Sequence, residues 1–144
     1  MTTTTTNKVI WSDLIKIGNS DIDGQHKLLV ELINSFYDVV INKLPTGQKK
    51  MEELEHYVQY HIQCEEGILL KAKYPDLADH QISHTELTSV VSDVVNRLLY
   101  LPVVDEQIEL INSLQNFWIN HIKDQDMQFK THLSNSFEKN KYVA

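Results

Sequence analysis

Apolar residues along this chain recur in steps of three and four, and the steps come in four runs. Ile22, Leu29, Ile33, Phe36 and Val40 make the first, and Met51, Leu54, Val58, Ile68 and Ala72 the second. Leu77, Leu87, Val91, Val94 and Leu98 make the third, and Val104, Ile108, Ile111, Leu114 and Trp118 the fourth. Such spacing lays one stripe along a helix, and no run alternates as a strand would. Punctuation falls between the runs, at Leu44-Pro45-Thr46-Gly47, Tyr74-Pro75 and Pro102. Proline removes a helix hydrogen bond and clashes with the preceding turn, so each of these is a stop. The pattern predicts helices over about 21–42, with Asp21 or Asp23 as cap, and about 48–73. Two more follow over about 76–100, with Asp76 as cap, and from about 104 to the neighbourhood of His121. Short connections make successive helices antiparallel, hence an all-α, up-down-up-down four-helix bundle.

The ends of the chain read differently. Residues 11–18 form an irregular N-terminal arm that can lay Trp11, Leu14, Ile15 and Ile17 against the body. After Asp126 comes a short polar C-terminal extension with room for one short helix. Residues 1–10, with their threonine run, are expected to be disordered, and residues 11–144 to form a single bundle domain.

Each apolar stripe is broken by residues that do not belong in a core. His26 stands on the first, His61 and Glu65 on the second, His80 and His84 on the third and His121 on the fourth. They lie near the starts of the odd helices and in the later halves of the even ones. In an up-down-up-down bundle those places share one end, so the polar residues converge on one layer. A single histidine on a stripe is ordinarily a hydrogen-bonded core residue. Five together cannot all find partners in an apolar bundle, and each left unpaired costs about 1–3 kcal/mol. A buried carboxylate such as Glu65 needs a cation or must neutralise. A metal satisfies all of them at once.

Counting ligands narrows the choice of metal. His80 and His84, spaced i, i+4, have Cβ atoms roughly 5–6 Å apart and can reach one ion. Asp126 is the next carboxylate after His121, but at i, i+5 a straight helix would turn it about 140° away. It joins the layer only if the helix ends or bulges between the two, which is the expectation here. One tetrahedral zinc would use four ligands and strand the rest. Two six-coordinate ions fit better: five imidazoles, two bridging carboxylates and a bridging oxygen fill all but one position. Mixed imidazole and carboxylate ligation suits iron.

Other motifs carry less. His80-Gln-Ile-Ser-His84 has the spacing of zinc proteases, but Gln81 stands where their general-base glutamate would be. Glu53-Leu-Glu-His56 is a single E-x-x-H, whereas ferritin-like sites need two such motifs. His56 and His132 read as surface residues, and Cys64 as a packed thiol one step off the stripe.

Composition sets outer bounds. The 144 residues carry a net charge of −7 with acid and base interspersed, which argues against nucleic acid and anionic membrane surfaces as partners. One cysteine precludes an internal disulfide and fits a reducing compartment. The N-terminus lacks the basic and apolar parts of a signal peptide, so the expected location is the cytoplasm.

With these residues in place the chain resembles the hemerythrin family, in particular the bacterial single-domain hemerythrins (bacteriohemerythrins). The resemblance rests on Asp23-Gly-Gln-His26, His61-Ile-Gln-Cys-Glu65-Glu66, His80-Gln-Ile-Ser-His84 and His121-Ile-Lys-Asp-Gln-Asp126, with Trp11, Gly18, Tyr74-Pro75 and Trp118 in support. It covers about residues 11–126. It implies reversible dioxygen binding, for carriage, storage or sensing, at two iron ions per chain. An oxo or hydroxo group, Glu65 and Asp126 would bridge them. His80, His84 and His121 would hold one iron, and His26 and His61 the other, which keeps an open position for dioxygen or a small anion. Leu29, Ile62, Trp118 and Ile122 would line that opening. Two positions depart from the family: Ile62 where phenylalanine is frequent, and Leu70 where methionine is common; both bear on the pocket's size. Nitrogen-rich ligation leaves no free carboxylate beside the metals to shuttle protons, so a binding protein is expected rather than an enzyme. The alternatives are a di-iron peroxidase or nitrogen-oxide reductase, and a dioxygen sensor acting on a separate protein partner.

Overall fold

The computed structural model describes residues 4–141, with side chains to residue 136. Four long helices, α1 (Ser20–Asn42), α2 (Gly47–Lys71), α3 (Leu77–Arg97) and α4 (Val104–Asp124), make up the body, and a fifth, α5 (Lys130–Lys141), follows. Helix α1 packs on α2 and α4, and α3 packs on the same two, which is the up-down-up-down square. No helix is long and apolar enough to cross a membrane among the described residues.

The ends of the helices follow local chemistry, with some differences from the sequence reading. Asn19, not Asp21 or Asp23, caps α1, its side chain accepting from the backbone N–H groups of Asp21 and Ile22. Asp23 instead turns back to the arm, accepting from Ile17 N at 2.7 Å and Gly18 N at 3.0 Å. The turn it holds needs Gly18, whose φ of 96° disfavours any other residue. Asp76 occupies the cap position of α3 but makes no side-chain cap bond. Helix α2 ends two residues early, because Lys73 turns left-handed at φ 55° and Tyr74 N bonds back to Leu69 O. Within the helix the stripe continues from Glu65 to Leu69, four residues on and fully buried, rather than to Ile68.

The core is in two parts. The larger runs through the bundle and includes Leu29, Ile33, Phe36, Leu54, Leu87, Ile111, Leu114 and Ile122. The smaller closes one end with Ile17, Ile22, Leu69, Tyr74 and Phe129. The arm therefore contributes Ile15 and Ile17 to burial, but Leu14 is 87% exposed, because the 3-10 turn Asp13–Ile15 points it outward. Where the sequence suggests a loose start, residues 4–10 run along α1 and α4. Asn7 N meets Asn112 Oδ1 at 2.9 Å, and Val9 exchanges bonds with Asn34. Residues 1–3 lie outside the described residues.

Replacing Asp23 by Ala leaves the Ile17 and Gly18 amides without their acceptor. The expected loss is about 2 kcal/mol of unfolding free energy, read as a lower urea midpoint at unchanged slope. An unmoved midpoint would show that the arm is held by its apolar contacts alone.

Candidate metal centre

The polar residues meet between the two parts of the core. On α1, His26 stands between Ile22 and Leu29; on α2, His61 and Glu65 stand between Val58 and Leu69. On α3, His80 and His84 precede Leu87, and on α4, His121 follows Trp118. Asp126 arrives from a 3-10 turn, Asp126–Phe129, that begins after α4 has ended. The break expected between His121 and Asp126 is there, and it swings Asp126 into the layer. All seven side chains are buried, Glu65 and Asp126 completely.

Each carboxylate spans the layer with its two oxygens facing different histidines. Glu65 Oε2 lies 3.2 Å from both His26 Nε2 and His61 Nε2, while Oε1 lies 2.7 Å from His80 Nε2 and 3.0 Å from His84 Nε2. Asp126 Oδ2 lies 3.0 Å from His26 Nε2, while Oδ1 lies 3.1 Å from His80 Nε2 and 3.2 Å from His121 Nε2. The seven residues thus form two overlapping groups that could hold metal. One is Glu65, His80, His84, His121 and Asp126, and the other is His26, His61, Glu65 and Asp126.

These atoms are close without satisfying one another. His61 Nε2, His121 Nε2 and both Asp126 oxygens lack any partner in hydrogen-bond geometry, although they are fully buried. Orphans of this kind cost about 1–3 kcal/mol each, and here they aim at common points. Imidazole nitrogens and carboxylate oxygens so arranged fit a cation.

Charge follows the same geometry. Burial favours a neutral Glu65, but His61, His26 and His80 around it hold its pKa well below the usual carboxylate range. Burial and the neighbouring Glu65 both oppose ionisation of Asp126, yet His121, His26 and His80 pull it low. Burial likewise works against charged His26 and His80, and the two carboxylates overcome it, raising each to about 9. For His61 burial wins, and its pKa falls. Without metal, charged His26 and His80 therefore stand against the two carboxylates.

Two side chains behind the histidines were not assigned a role from the sequence. His61 Nδ1 donates to Gln25 Oε1 at 2.8 Å, and His84 Nδ1 donates to Glu66 Oε2 at 2.7 Å. Each is a chain neighbour of a layer residue, so a polar side chain flanking the stripe was the available signal. Glu66 is a carboxylate touching the layer, contrary to the expectation that none would be near it. His132 is also not a plain surface residue, since its Nε2 bonds Ala72 O and its ring lies against Tyr74. His56 is exposed. Leu29, Ile62, Trp118 and Ile122 are buried in the larger core, and the Trp118 ring sits 5.2 Å from His26 and 5.6 Å from His61. Leu70, in contrast, is 67% exposed and faces away from the layer.

Comparison with known proteins agrees with this architecture. The family model for the Hemerythrin HHE cation binding domain matches residues 18–133. The Hemerythrin-like protein of Naegleria gruberi is 28% identical over 130 residues, spanning 90% of this chain and 98% of that one. The Bacteriohemerythrin of Pseudomonas aeruginosa (strain PAO1) is 30% identical over 119 residues, spanning 82% of this chain and 76% of that one. A wild-type hemerythrin crystal structure superposes with a TM-score of 0.73 at 23% identity, covering 88% of this chain and 98% of that chain. At that identity the superposition establishes the shared four-helix fold.

The shifted groups set a pH dependence for chelator-treated protein. His26 and His80, raised to about 9 from 6.5, stabilise the fold fully below pH 6.5, and that contribution is lost as pH climbs towards 9. Glu65 and Asp126, held low, contribute above about pH 4.5 and lose that contribution in acid. His61, with its lowered pKa, subtracts stability below pH 6.5. The melting temperature of metal-free protein should peak between those limits and fall steadily from pH 6.5 to beyond 9. Metal-loaded protein should not show the alkaline fall, because the metal replaces the protons. A flat metal-free profile across that range would contradict the ion-paired layer.

Proposed function

The chain belongs to the hemerythrin family, and from that premise we propose that it binds dioxygen reversibly at two iron ions held in the buried layer. The observation that carries this reading is the division of each carboxylate between the two histidine sets. Glu65 and Asp126 each turn one oxygen to His26 or to the His26–His61 pair, and the other to the His80, His84 and His121 set. That is the arrangement two bridging carboxylates need. His80, His84 and His121 would hold one iron and His26 and His61 the other, with Glu65 and Asp126 shared. The second group has one protein ligand fewer, so the open coordination position belongs on its side. Once bound, the iron pair supplies the electrons and the vacant position that dioxygen requires.

The rest of the task falls to the protein's side chains. Leu29, Ile62, Trp118 and Ile122 are all at most 9% exposed, and they surround the His26 and His61 side with an apolar wall. Such a wall excludes water and anions and keeps protons from the bound ligand. The Trp118 indole N–H has no hydrogen-bond partner among the described residues, which makes it the available donor beside that position. Glu66, the added carboxylate, is already engaged by His84 and Gln81. It lines the same cleft as Ile62, but those two bonds hold it, which favours binding over turnover.

The optical spectrum of anaerobic Fe(II)-loaded protein should change on admitting dioxygen and return under vacuum, with about two irons per chain. A change that does not reverse, or a metal content near one, would overturn the reading.

Exchanging Ile62 or Leu29 for serine should let water into the pocket. The decay of the oxygenated form is expected to quicken about tenfold, on the order of one methylene-sized change in a closed apolar site, at unchanged iron content. Equal decay in both variants would place the ligand elsewhere.

A further inference from the structure

The two histidine sets differ in what stands behind them. On the His26 and His61 side, His61 Nδ1 meets a neutral amide, Gln25 Oε1, at 2.8 Å. On the other side, His84 Nδ1 meets a carboxylate, Glu66 Oε2, at 2.7 Å. A second bond steadies Glu66: Gln81 Nε2 donates to its other oxygen, Oε1, at 3.1 Å. Gln81 and Glu66 are on different helices, α3 and α2, so this bond ties together the two elements that also carry His84 and Glu65. His84 itself is 2% exposed and Glu66 24%, so the carboxylate sits at the rim with its hydrogen bond pointing inward.

A carboxylate only accepts, so the proton of His84 stays on Nδ1, and Nε2, which faces Glu65 at 3.0 Å, is left as the ligand atom. The hydrogen bond also passes negative charge into the imidazole and makes Nε2 a stronger donor. An amide fixes the tautomer of His61 in the same way but brings no charge.

Building on the two-iron reading, we propose that Glu66 is a positioning residue that makes the two metal positions electronically unequal. It orients His84 and favours the higher oxidation state at the iron held by His80, His84 and His121. Gln25 orients His61 without such a bias, so the iron with the open position is the one more readily kept reduced. The iron held by His80, His84 and His121 is then the one that gives up its electron more readily, while the iron with the open position holds its electron more firmly.

The test pairs two measurements. Cobalt(II) titrated into metal-free protein reports the affinity of each position through its visible bands, and potentiometry of iron-loaded protein reports the charge. Glu66→Ala is expected to weaken one cobalt position by about 10–100-fold and to leave the other unchanged. Glu66→Gln keeps an acceptor oxygen for His84, so cobalt affinity should be rescued while the potential of one iron rises. Gln25→Glu should lower the potential of the other iron. A purely structural role for Glu66 would weaken both cobalt positions together and give no potential shift in the glutamine variant. Unmoved potentials in Glu66→Gln, or full cobalt affinity in Glu66→Ala, would overturn the proposal. Wild-type protein that takes up a single cobalt would overturn the two-ion reading instead. The comparison of Glu66→Ala with wild type at that single position would still decide whether Glu66 supports His84.

Discussion

Everything in this molecule is arranged around the burial of two carboxylates between two apolar clusters. Glu65 and Asp126 are completely withdrawn from solvent, where an isolated carboxylate would be neutral. They remain ionised because imidazoles from all four main helices face them at 2.7–3.2 Å. The price is that every helix must deliver its histidine to the same level, so register along the bundle is set by this layer as much as by apolar packing. Misplacing one helix by a turn would strand a charged group in hydrocarbon, which is a far steeper penalty than an imperfect apolar contact.

The irregular parts of the chain serve the same constraint. Helix α4 stops after Asp124 so that Asp126 can enter from a 3-10 turn. That turn ends on Phe129, whose ring lies against His80 and Tyr74 and seals the layer from the end of the bundle. On the opposite terminus, Asp23 and Gly18 bend the arm so that Ile17 joins the same seal. Both ends of the chain thus contribute to the smaller apolar cluster, and that cluster is what makes the layer an interior rather than an open mouth. Charges within it act at low effective dielectric, which is why neighbours only 3 Å away shift pKa values so far.

The layer is also asymmetric, and asymmetry is where binding chemistry begins. One side has three histidines, the other two; Leu29, Ile62, Trp118 and Ile122 are buried in the larger core, with the Trp118 ring against His26 and His61. Gln25 and Glu66 extend the difference outward with a neutral and a charged hydrogen-bond acceptor.

Much of this was legible in the residue order. The three-and-four spacing and the stops at Pro45, Pro75 and Pro102 are local properties, and local sterics and hydrogen bonding decide where helices begin and end. The placing of His26, His61, Glu65, His80, His84 and His121 on one level followed too, because antiparallel helices of similar length leave only one way for those positions to meet. Even the break before Asp126 followed from 100° per residue. What the residue order could not supply is the direction of each side chain once the helices had packed. Asn19 rather than Asp21 or Asp23 caps α1, because Asp23 is claimed by amides of the arm. Leu69 is buried and Leu70 exposed, because the rotation of α2 in the packed bundle continues the inward face from Glu65 to Leu69. The pairing of Gln25 with His61, of Glu66 with His84, and of the two Glu65 oxygens with His26 and with His80 joins residues on different helices, 15 to 39 apart in sequence. Such pairings depend on the rotation of whole helices about their axes, and only the packing of the full core determines that rotation.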